Sequence, residues 1–130
     1  MKFTAEVDGH QIVMDADSQF GGSNAGPRPK PLLLAALTGC SGMDIVSLLK
    51  KMKVQNYSLA MDAQAEVMSE HPSIYRTITL FFYFRGANLP TDKIKKAVDL
   101  SLNKYCPVNA MLNKAADITA KIIINDREIN

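Results

Sequence analysis

The chain contains two cysteines, Cys40 and Cys106, and these are the side chains best suited to chemistry. In a reducing compartment a thiol acts as a nucleophile, binds a metal or fills the core, and seldom serves as a structural disulfide. The two residues lie 66 positions apart, so neither a C-x-x-C redox motif nor a paired zinc-knuckle motif is present. Catalysis, metal binding and inert packing therefore remain open for both thiols.

The local surroundings of the two cysteines differ. Cys40 lies in an apolar segment nine positions after Pro31, where a cysteine is more often packed than reactive. Cys106 directly precedes Pro107 at the start of a predicted helix, where unpaired N–H groups and the helix dipole favour a thiolate. The sequence therefore gives Cys106 the clearer local reason to ionise.

The two histidines, His10 and His71, do not extend either cysteine into a recognisable site. Neither has metal-ligand spacing, each is typical of a solvated loop residue, and zinc would need ligands beyond the two thiols. A Cys–His hydrolase is the other alternative, but no nucleophile-elbow or oxyanion-hole signature accompanies either cysteine. Metal binding and hydrolysis are both disfavoured.

Four charged residues are further candidates. Arg28, at the end of a loop rich in Gly and Pro, could fold over a cleft and stabilise a thiolate or an oxyanion, although solvation is its simpler role. Asp44 lies one helical turn after Cys40, where its charge would oppose thiolate formation, and an ion pair is its simpler role. Glu70 and Arg76 flank a bend between strands as surface residues, though either could reach a site at a subunit boundary.

The elements that position these residues follow from hydrophobic periodicity and turn signals. A β-hairpin with an Asp8-Gly9 turn opens the chain, a loop and a long buried helix follow, and then come two paired strands. Two helices, one capped by Thr91 and one starting at Pro107, precede a last strand. The predicted ranges are 2–7 and 11–15 for the hairpin, 18–31 for the loop, 32–53 for the long helix, 57–67 and 75–85 for the strands, and 118–124 for the last strand.

This order lacks the strict βαβ alternation of a doubly wound sheet, so we predict an α+β fold in a single domain over residues 1–130. The net charge of +2, with scattered basic residues, argues against nucleic-acid binding. The longest uninterrupted apolar run, residues 32–37, is far shorter than the roughly 20 residues of a membrane span, and the N-terminus lacks a secretory h-region. We expect a cytoplasmic protein without membrane association.

Two segments carry a family resemblance. Residues 26–46, GPRPKPLLLAALTGCSGMDIV, and residues 97–108, AVDLSLNKYCPV, resemble the segments around the two cysteines of the OsmC/Ohr family of bacterial thiol proteins, in particular its short OsmC-like branch. The resemblance spans nearly the whole chain. It implies an intertwined homodimer in which antiparallel sheets wrap around central helices, with a thiol site at each subunit boundary.

The resemblance also implies an activity. The cysteine matching Cys40 attacks an organic hydroperoxide or hydrogen peroxide, and the one matching Cys106 resolves the resulting sulfenic acid as an intramolecular disulfide. A dithiol or a lipoyl-type group then reduces that disulfide, so no bound cofactor is expected. The implied protein is a thiol-dependent peroxidase of the oxidative stress response.

The chain departs from the family pattern at one functional position. Relatives place a glutamate before the first cysteine, where it orients an arginine that activates the thiol, and here Pro31 occupies that position. The arginine of the best-known members lies in a longer loop, so Arg28 is only a candidate replacement. The loss of the glutamate keeps an alternative open, a non-enzymatic dimer that binds a small apolar ligand or senses oxidation. Simple structural use of both thiols is a third alternative.

Overall fold

The computed structural model describes residues 1–130 and contains two compact units, Met1–Ala35 and Ala36–Asn130. Both units combine strand and helical segments, and the α+β class predicted from the sequence is confirmed. The organisation of the chain as a single domain stays a prediction.

The first unit opens with the predicted β-hairpin. Strand β1, Phe3–Val7, pairs antiparallel with β2, His10–Met14. The turn residues Asp8 and Gly9 have φ values of 50° and 81°, the positive values that a two-residue hairpin turn matching the twist of its strands requires. The hairpin and its turn were therefore predictable from sequence.

The loop after the hairpin is organised by the buried carboxylate of Asp15. Its oxygens accept hydrogen bonds from the backbone N–H groups of Ala16, Ser23 and Ala25 at 2.8–3.1 Å. These donors, that of Ala25 first, hold the pKa of Asp15 below its usual value. A 3-10 turn at Ser18–Phe20 adds local structure that the prediction of a plain loop did not include.

Helix α1, Pro31–Lys51, begins in the first unit and continues into the second. Pro31 suits its start, because a first helical residue needs no N–H partner, and Lys50 and Lys51 suit its end. Helix α2, Thr91–Leu100, and helix α3, Pro107–Leu112, lie wholly in the second unit. The prediction that Thr91 caps α2 is wrong: Pro90 occupies the cap position, without a side-chain hydrogen bond, and Thr91 is the first helical residue.

The second unit contains one four-stranded sheet in the order β3-β4-β5-β6. Its strands are β3, Ser58–Val67, β4, Tyr75–Arg85, β5, Asp117–Ile124, and β6, Arg127–Ile129. The expectation of antiparallel sheets is wrong for one pair, because β4 and β5 run parallel while the other two pairs are antiparallel. The physical reason is the connection: the helices between β4 and β5 return the chain to the same end of the sheet before β5 starts.

The core of the second unit is formed by one face of β4 together with α1 and α2. Four alternating side chains of β4 are buried, as are three apolar residues from each of the two helices. The buried residues are Ile78, Leu80, Phe82 and Phe84 of β4, Leu37, Ile45 and Leu49 of α1, and Ile94, Ala97 and Val98 of α2.

Helix α1 is unusual for its apolar composition. Its 21 residues, with a mean hydropathy of 1.8 over 18 of them, would suffice by length and composition alone to cross a membrane, although the longest uninterrupted apolar run is short. The core helix of a soluble protein passes the same test, and 22% of that window is buried in the fold.

Candidate redox site

Cys40 lies in the middle of α1, where its half-buried side chain occupies the turn between two buried positions, Leu37 and Ser41. The Ser41 hydroxyl donates to the Leu37 carbonyl oxygen at 2.7 Å, so this small polar residue is satisfied inside the helix. Asp44 follows one turn later, half-buried, with its carboxylate directed toward the same place as the Cys40 thiol. The rigid helix thus fixes a thiol and a carboxylate side by side.

Cys106 is positioned by an irregular helix end. After α2 the backbone widens into a π-helical turn, Ser101–Tyr105, and the Cys106 N–H donates to the Ser101 carbonyl oxygen at 2.8 Å. The Leu102 carbonyl oxygen would next need an N–H from Pro107, which has none. The Asn109 side chain fills that gap, donating from Nδ2 to the Leu102 oxygen at 2.6 Å. Cys106 then caps α3, its Sγ accepting from the Asn109 N–H at 3.4 Å.

The structure brings the two predicted cysteines together. Their sulfurs and a carboxylate oxygen of Asp44 all lie within 4.8 Å of one another. Cys106 is 3% exposed while Cys40 is partly accessible, and both are free thiols. A disulfide needs a sulfur separation of about 2.05 Å, so the two sulfurs must move closer together before they can bond. One accessible thiol backed by one buried thiol is an arrangement suited to reversible oxidation.

The prediction that the surroundings of Cys106 favour its thiolate is wrong. Burial, followed by the hydrogen bond with the Cys40 thiol, raises the pKa of Cys106 from 9.0 to about 11. The N–H groups of Asn109 and Val108 act in the predicted direction and lower it, but they do not outweigh burial. Cys106 is therefore protonated at neutral pH.

The expectation that Asp44 forms an ion pair is also wrong. No Lys, Arg or His nitrogen lies within 4 Å of its carboxylate, whose Oδ2 instead faces the Ser101 hydroxyl at 3.4 Å. The same hydroxyl lies 3.2 Å from the Ser41 carbonyl oxygen, which it also approaches as a donor. Ser101 thus links the π-helical turn to α1 beside Cys40.

Sequence reasoning missed the roles of Ser101 and Asn109. Both are buried polar residues, at 0% and 4% exposure, in a segment whose apolar periodicity predicted an ordinary helix. The available signal was the Cys-Pro pair: a proline placed just after a helix removes an N–H and leaves a carbonyl that a nearby polar side chain must satisfy.

Comparison with known proteins assigns the fold to a family. A family model described as OsmC-like protein matches residues 21–121. The chain belongs to the OsmC-like family. It is 38% identical over 113 residues to Protein YhfA of Escherichia coli K12, a match covering 87% of this chain and 81% of YhfA.

Solved structures share the OsmC-like fold. The OsmC-like protein of Mycoplasma pneumoniae has a TM-score of 0.78 at 21% identity, covering 95% of this chain and 88% of its own. OhrB of Bacillus subtilis, an organic hydroperoxide resistance protein, has a TM-score of 0.60 at 15% identity, covering 94% of this chain and 96% of its own. The family resemblance inferred from the two cysteine segments is confirmed.

In this OsmC-like protein Arg28 is held within the first unit. Its guanidinium donates to Asn24 Oδ1 at 2.8 Å and to the Gly26 carbonyl oxygen at 3.0 Å, and it pairs with Asp17 at 3.4 Å. The Arg28 side chain remains 37% exposed to solvent. Its role in activating Cys40 stays a prediction. Pro31 begins α1.

The remaining candidates lie outside the thiol cluster. His10 begins β2 and His71 follows β3, and neither joins Cys40, Asp44 and Cys106. Arg76 forms an exposed ion pair with Glu66 at 2.9 Å, as expected of a surface residue. Glu70 is exposed.

An apolar groove runs along the other side of α1 in the OsmC-like fold. Its volume is about 570 Å³, and its lining includes Gly39, Met43 and Val46 of α1 with Leu59 and Met61 of β3. Met43 is 77% exposed, an unusual state for a large apolar side chain on a core helix. This face of α1 is therefore largely apolar and uncovered.

Proposed function

We propose that the chain is a thiol-dependent peroxidase that reduces organic hydroperoxides or hydrogen peroxide, with Cys40 as the attacking thiol and Cys106 as the resolving thiol. The observation that carries this proposal is the closeness of the accessible Cys40 sulfur to the buried, protonated Cys106 sulfur. Membership of the OsmC-like family, which includes proteins named for organic hydroperoxide resistance, supports it.

The first step is nucleophilic attack on the peroxide. The Cys40 thiolate attacks the outer oxygen of ROOH, the O–O bond breaks, and the alkoxide leaves and takes up a proton as ROH. Cys40 is oxidised to a sulfenic acid and the peroxide is reduced to an alcohol, or to water when R is hydrogen. Arg28 is our candidate for the cation that stabilises the thiolate or the peroxide oxygen.

The second step protects Cys40 from irreversible oxidation. The Cys106 thiol loses its proton as its sulfur attacks the Cys40 sulfur, the S–O bond breaks, and water leaves as the disulfide forms. The high pKa of Cys106 suits this order, because a protonated, buried thiol is a poor nucleophile toward peroxide. An external dithiol, such as a lipoyl-type group, then reduces the disulfide in two exchange steps, so the cycle needs no bound cofactor.

The proposal includes a homodimer in which two chains intertwine around central helices. The exposed residues Ala36, Gly39, Met43 and Val46 form one stripe along α1, and small residues within such a stripe let another helix approach closely. A second copy of α1 is our candidate for the element that covers it. We place the dimer in the cytoplasm, where free thiols persist, without membrane or nucleic-acid partners.

The experiment is a coupled peroxidase assay on purified, reduced protein. We expect consumption of cumene hydroperoxide with a dithiol reductant, and one sulfenic acid per chain trapped at Cys40 when peroxide is added without reductant. Protein alkylated at both cysteines is the control for background turnover. If native protein neither consumes the hydroperoxide nor forms a trappable sulfenic acid, the peroxidase proposal is wrong.

A second candidate function is a non-enzymatic dimer that binds a small apolar ligand or senses oxidation. Pro31 in place of the family glutamate and the apolar groove on α1 favour it. A native mass spectrum of gently purified protein separates the two candidates: a co-purified ligand without turnover supports the binding function, and turnover without a ligand supports the peroxidase.

A further inference from the structure

The geometry points to a zinc site formed by Cys40 Sγ, Cys106 Sγ and the carboxylate of Asp44. These three donors come from two rigid elements, a helix turn for Cys40 and Asp44 and a helix N-terminus for Cys106. They lie within 4.8 Å of one another. A tetrahedral zinc ion holds sulfur and oxygen ligands about 3.5–3.8 Å apart, so small side-chain rotations close the site.

The charge around the donors also favours a cation. Asp44 is half-buried and has no ion-pair partner, although two sulfurs that can become thiolates lie beside it. Ser101 Oγ approaches Asp44 Oδ2 at 3.4 Å, the kind of hydrogen bond that orients a carboxylate ligand. Two thiols with one carboxylate form a donor set that zinc accepts, and soft sulfur ligands select against magnesium and calcium.

A cavity lies beside the Asp44 ligand of the proposed site. A cavity of about 270 Å³ adjoins Asp44 and is lined also by Ser47, Leu48, Lys51 and Tyr105. It offers a path by which an ion can reach the Asp44 carboxylate. Lys51 is the one cation in this lining and forms no ion pair with Asp44.

Zinc binding and disulfide formation at this place would exclude each other, a consequence that rests on the proposed function. Binding displaces one proton from each thiol, giving two zinc–thiolate bonds. Reaction with ROOH and two protons would form the disulfide, ROH and water and release Zn²⁺, because a disulfide offers no thiolate ligand. The metal would thus be held by the reduced protein and released by oxidation.

The test measures metal binding rather than turnover. Reduced apo-protein is titrated with Zn²⁺ against a chromophoric chelator and with Co²⁺, whose thiolate charge-transfer bands report sulfur ligation. We expect one ion per chain, affinity reduced at least about a hundredfold in Cys40→Ser and Cys106→Ser and about tenfold in Asp44→Asn, and no change in Asp99→Asn. Asp99 is the matched control because its carboxylate contacts only the Asn103 amide, at 2.7 Å.

Three results would overturn the zinc site: absence of charge-transfer bands, wild-type affinity in Asp44→Asn, or wild-type affinity in either serine variant. Alkylation of the wild-type protein is a measurement that does not depend on whether the variants fold. We expect zinc to protect both cysteines from the alkylating reagent. Since neither readout uses peroxide, the zinc site and the peroxidase can fail independently.

Discussion

The Asn109 side chain donates a 2.6 Å hydrogen bond to the Leu102 carbonyl oxygen, which the proline after Cys106 leaves without a backbone donor. Asn109 also directs its backbone N–H at the Cys106 sulfur. Asn109 therefore supplies the missing hydrogen bond at the irregular helix end that positions Cys106. It also contacts the Cys106 thiol. The position of the Cys106 thiol depends on this side chain.

We expect Asn109→Ala to lower the free energy of unfolding by about 1–3 kcal/mol, because the Leu102 carbonyl oxygen loses its partner in a part-buried site. Chemical denaturation measures the change. Asn103→Ala is the control: its amide bonds only the exposed Asp99 carboxylate, and we expect a change within about 0.5 kcal/mol. Equal effects of the two substitutions would mean that the Asn109 bond does not hold the helix end.

The two cysteines should differ in what their loss does to turnover. We expect Cys40→Ser to abolish hydroperoxide consumption, because no sulfur remains for the attack. Cys106→Ser should still react once, accumulate sulfenic acid at Cys40 and turn over at least about tenfold more slowly, since no nearby thiol forms the disulfide. Trapping with a sulfenic-acid reagent and mass spectrometry distinguishes the two outcomes.

Ser58→Ala, an exposed change on β3 outside the site, is the control for this pair and should retain wild-type turnover. Wild-type turnover in Cys40→Ser would assign the attack to another residue. Wild-type turnover and no accumulated sulfenic acid in Cys106→Ser would remove the resolving role.

Much of the fold was readable from local sequence, because its signals are local. The hairpin followed from Asp8-Gly9, and β4 was predicted at the bounds it has, 75–85. Strand β6 was missed because it is three residues long with two charged ones, and its turn, Asn125-Asp126, uses positive φ values without a glycine. Parallel pairing of β4 with β5 is a tertiary property that strand patterns do not encode.

The candidate site was likewise predictable where its signals are local, and not where they depend on tertiary packing. The local preference of Cys106 for a helix N-terminus was predicted correctly, and the N–H groups there do lower the pKa of its thiol. The predicted direction of the pKa change of Cys106 was wrong because its burial comes from packing between distant segments. The residues around Cys106 in the sequence do not reveal that packing. Family resemblance, not spacing, supplied the pairing of the two cysteines.

The raised pKa of Cys106 predicts a pH-dependent contribution to stability. Folding favours the protonated thiol, so its contribution is fully present below the ordinary pKa of 9.0 and is lost as the pH rises toward about 11. The expected loss in the free energy of unfolding is on the order of 2 kcal/mol, because folding raises the pKa of Cys106 from 9.0 to about 11. Denaturation curves of the reduced protein at pH 8 and at about pH 11 measure it.

Cys106→Ser is the reference for this measurement, because its hydroxyl does not titrate in that range while the lysines and tyrosines still do. The difference in stability between wild type and variant should therefore shrink as the pH rises. A constant difference across the range would show that the Cys106 thiol has an ordinary pKa in the folded protein.

Arg28 is the remaining candidate for activation of Cys40. We expect Arg28→Ala to lower the second-order rate of Cys40 oxidation by cumene hydroperoxide about tenfold, equivalent to about 1.4 kcal/mol, because a cation that stabilises the thiolate or the peroxide oxygen is lost. Arg28→Lys should recover part of the rate, since it keeps the charge but not the planar donor fork. Stopped-flow oxidation of the reduced protein measures all three rates.

The matched control is Arg85→Ala, which removes an exposed guanidinium paired with Asp126 and should leave the rate within about twofold. Asp17→Asn separates charge from loop structure, because it breaks the Arg28 ion pair while keeping the guanidinium. If Arg28→Ala and Asp17→Asn slow oxidation equally and Arg28→Lys recovers nothing, Arg28 acts only by holding its loop. An unchanged rate in Arg28→Ala would leave Cys40 without an arginine partner and would strengthen the binding function that Pro31 favours.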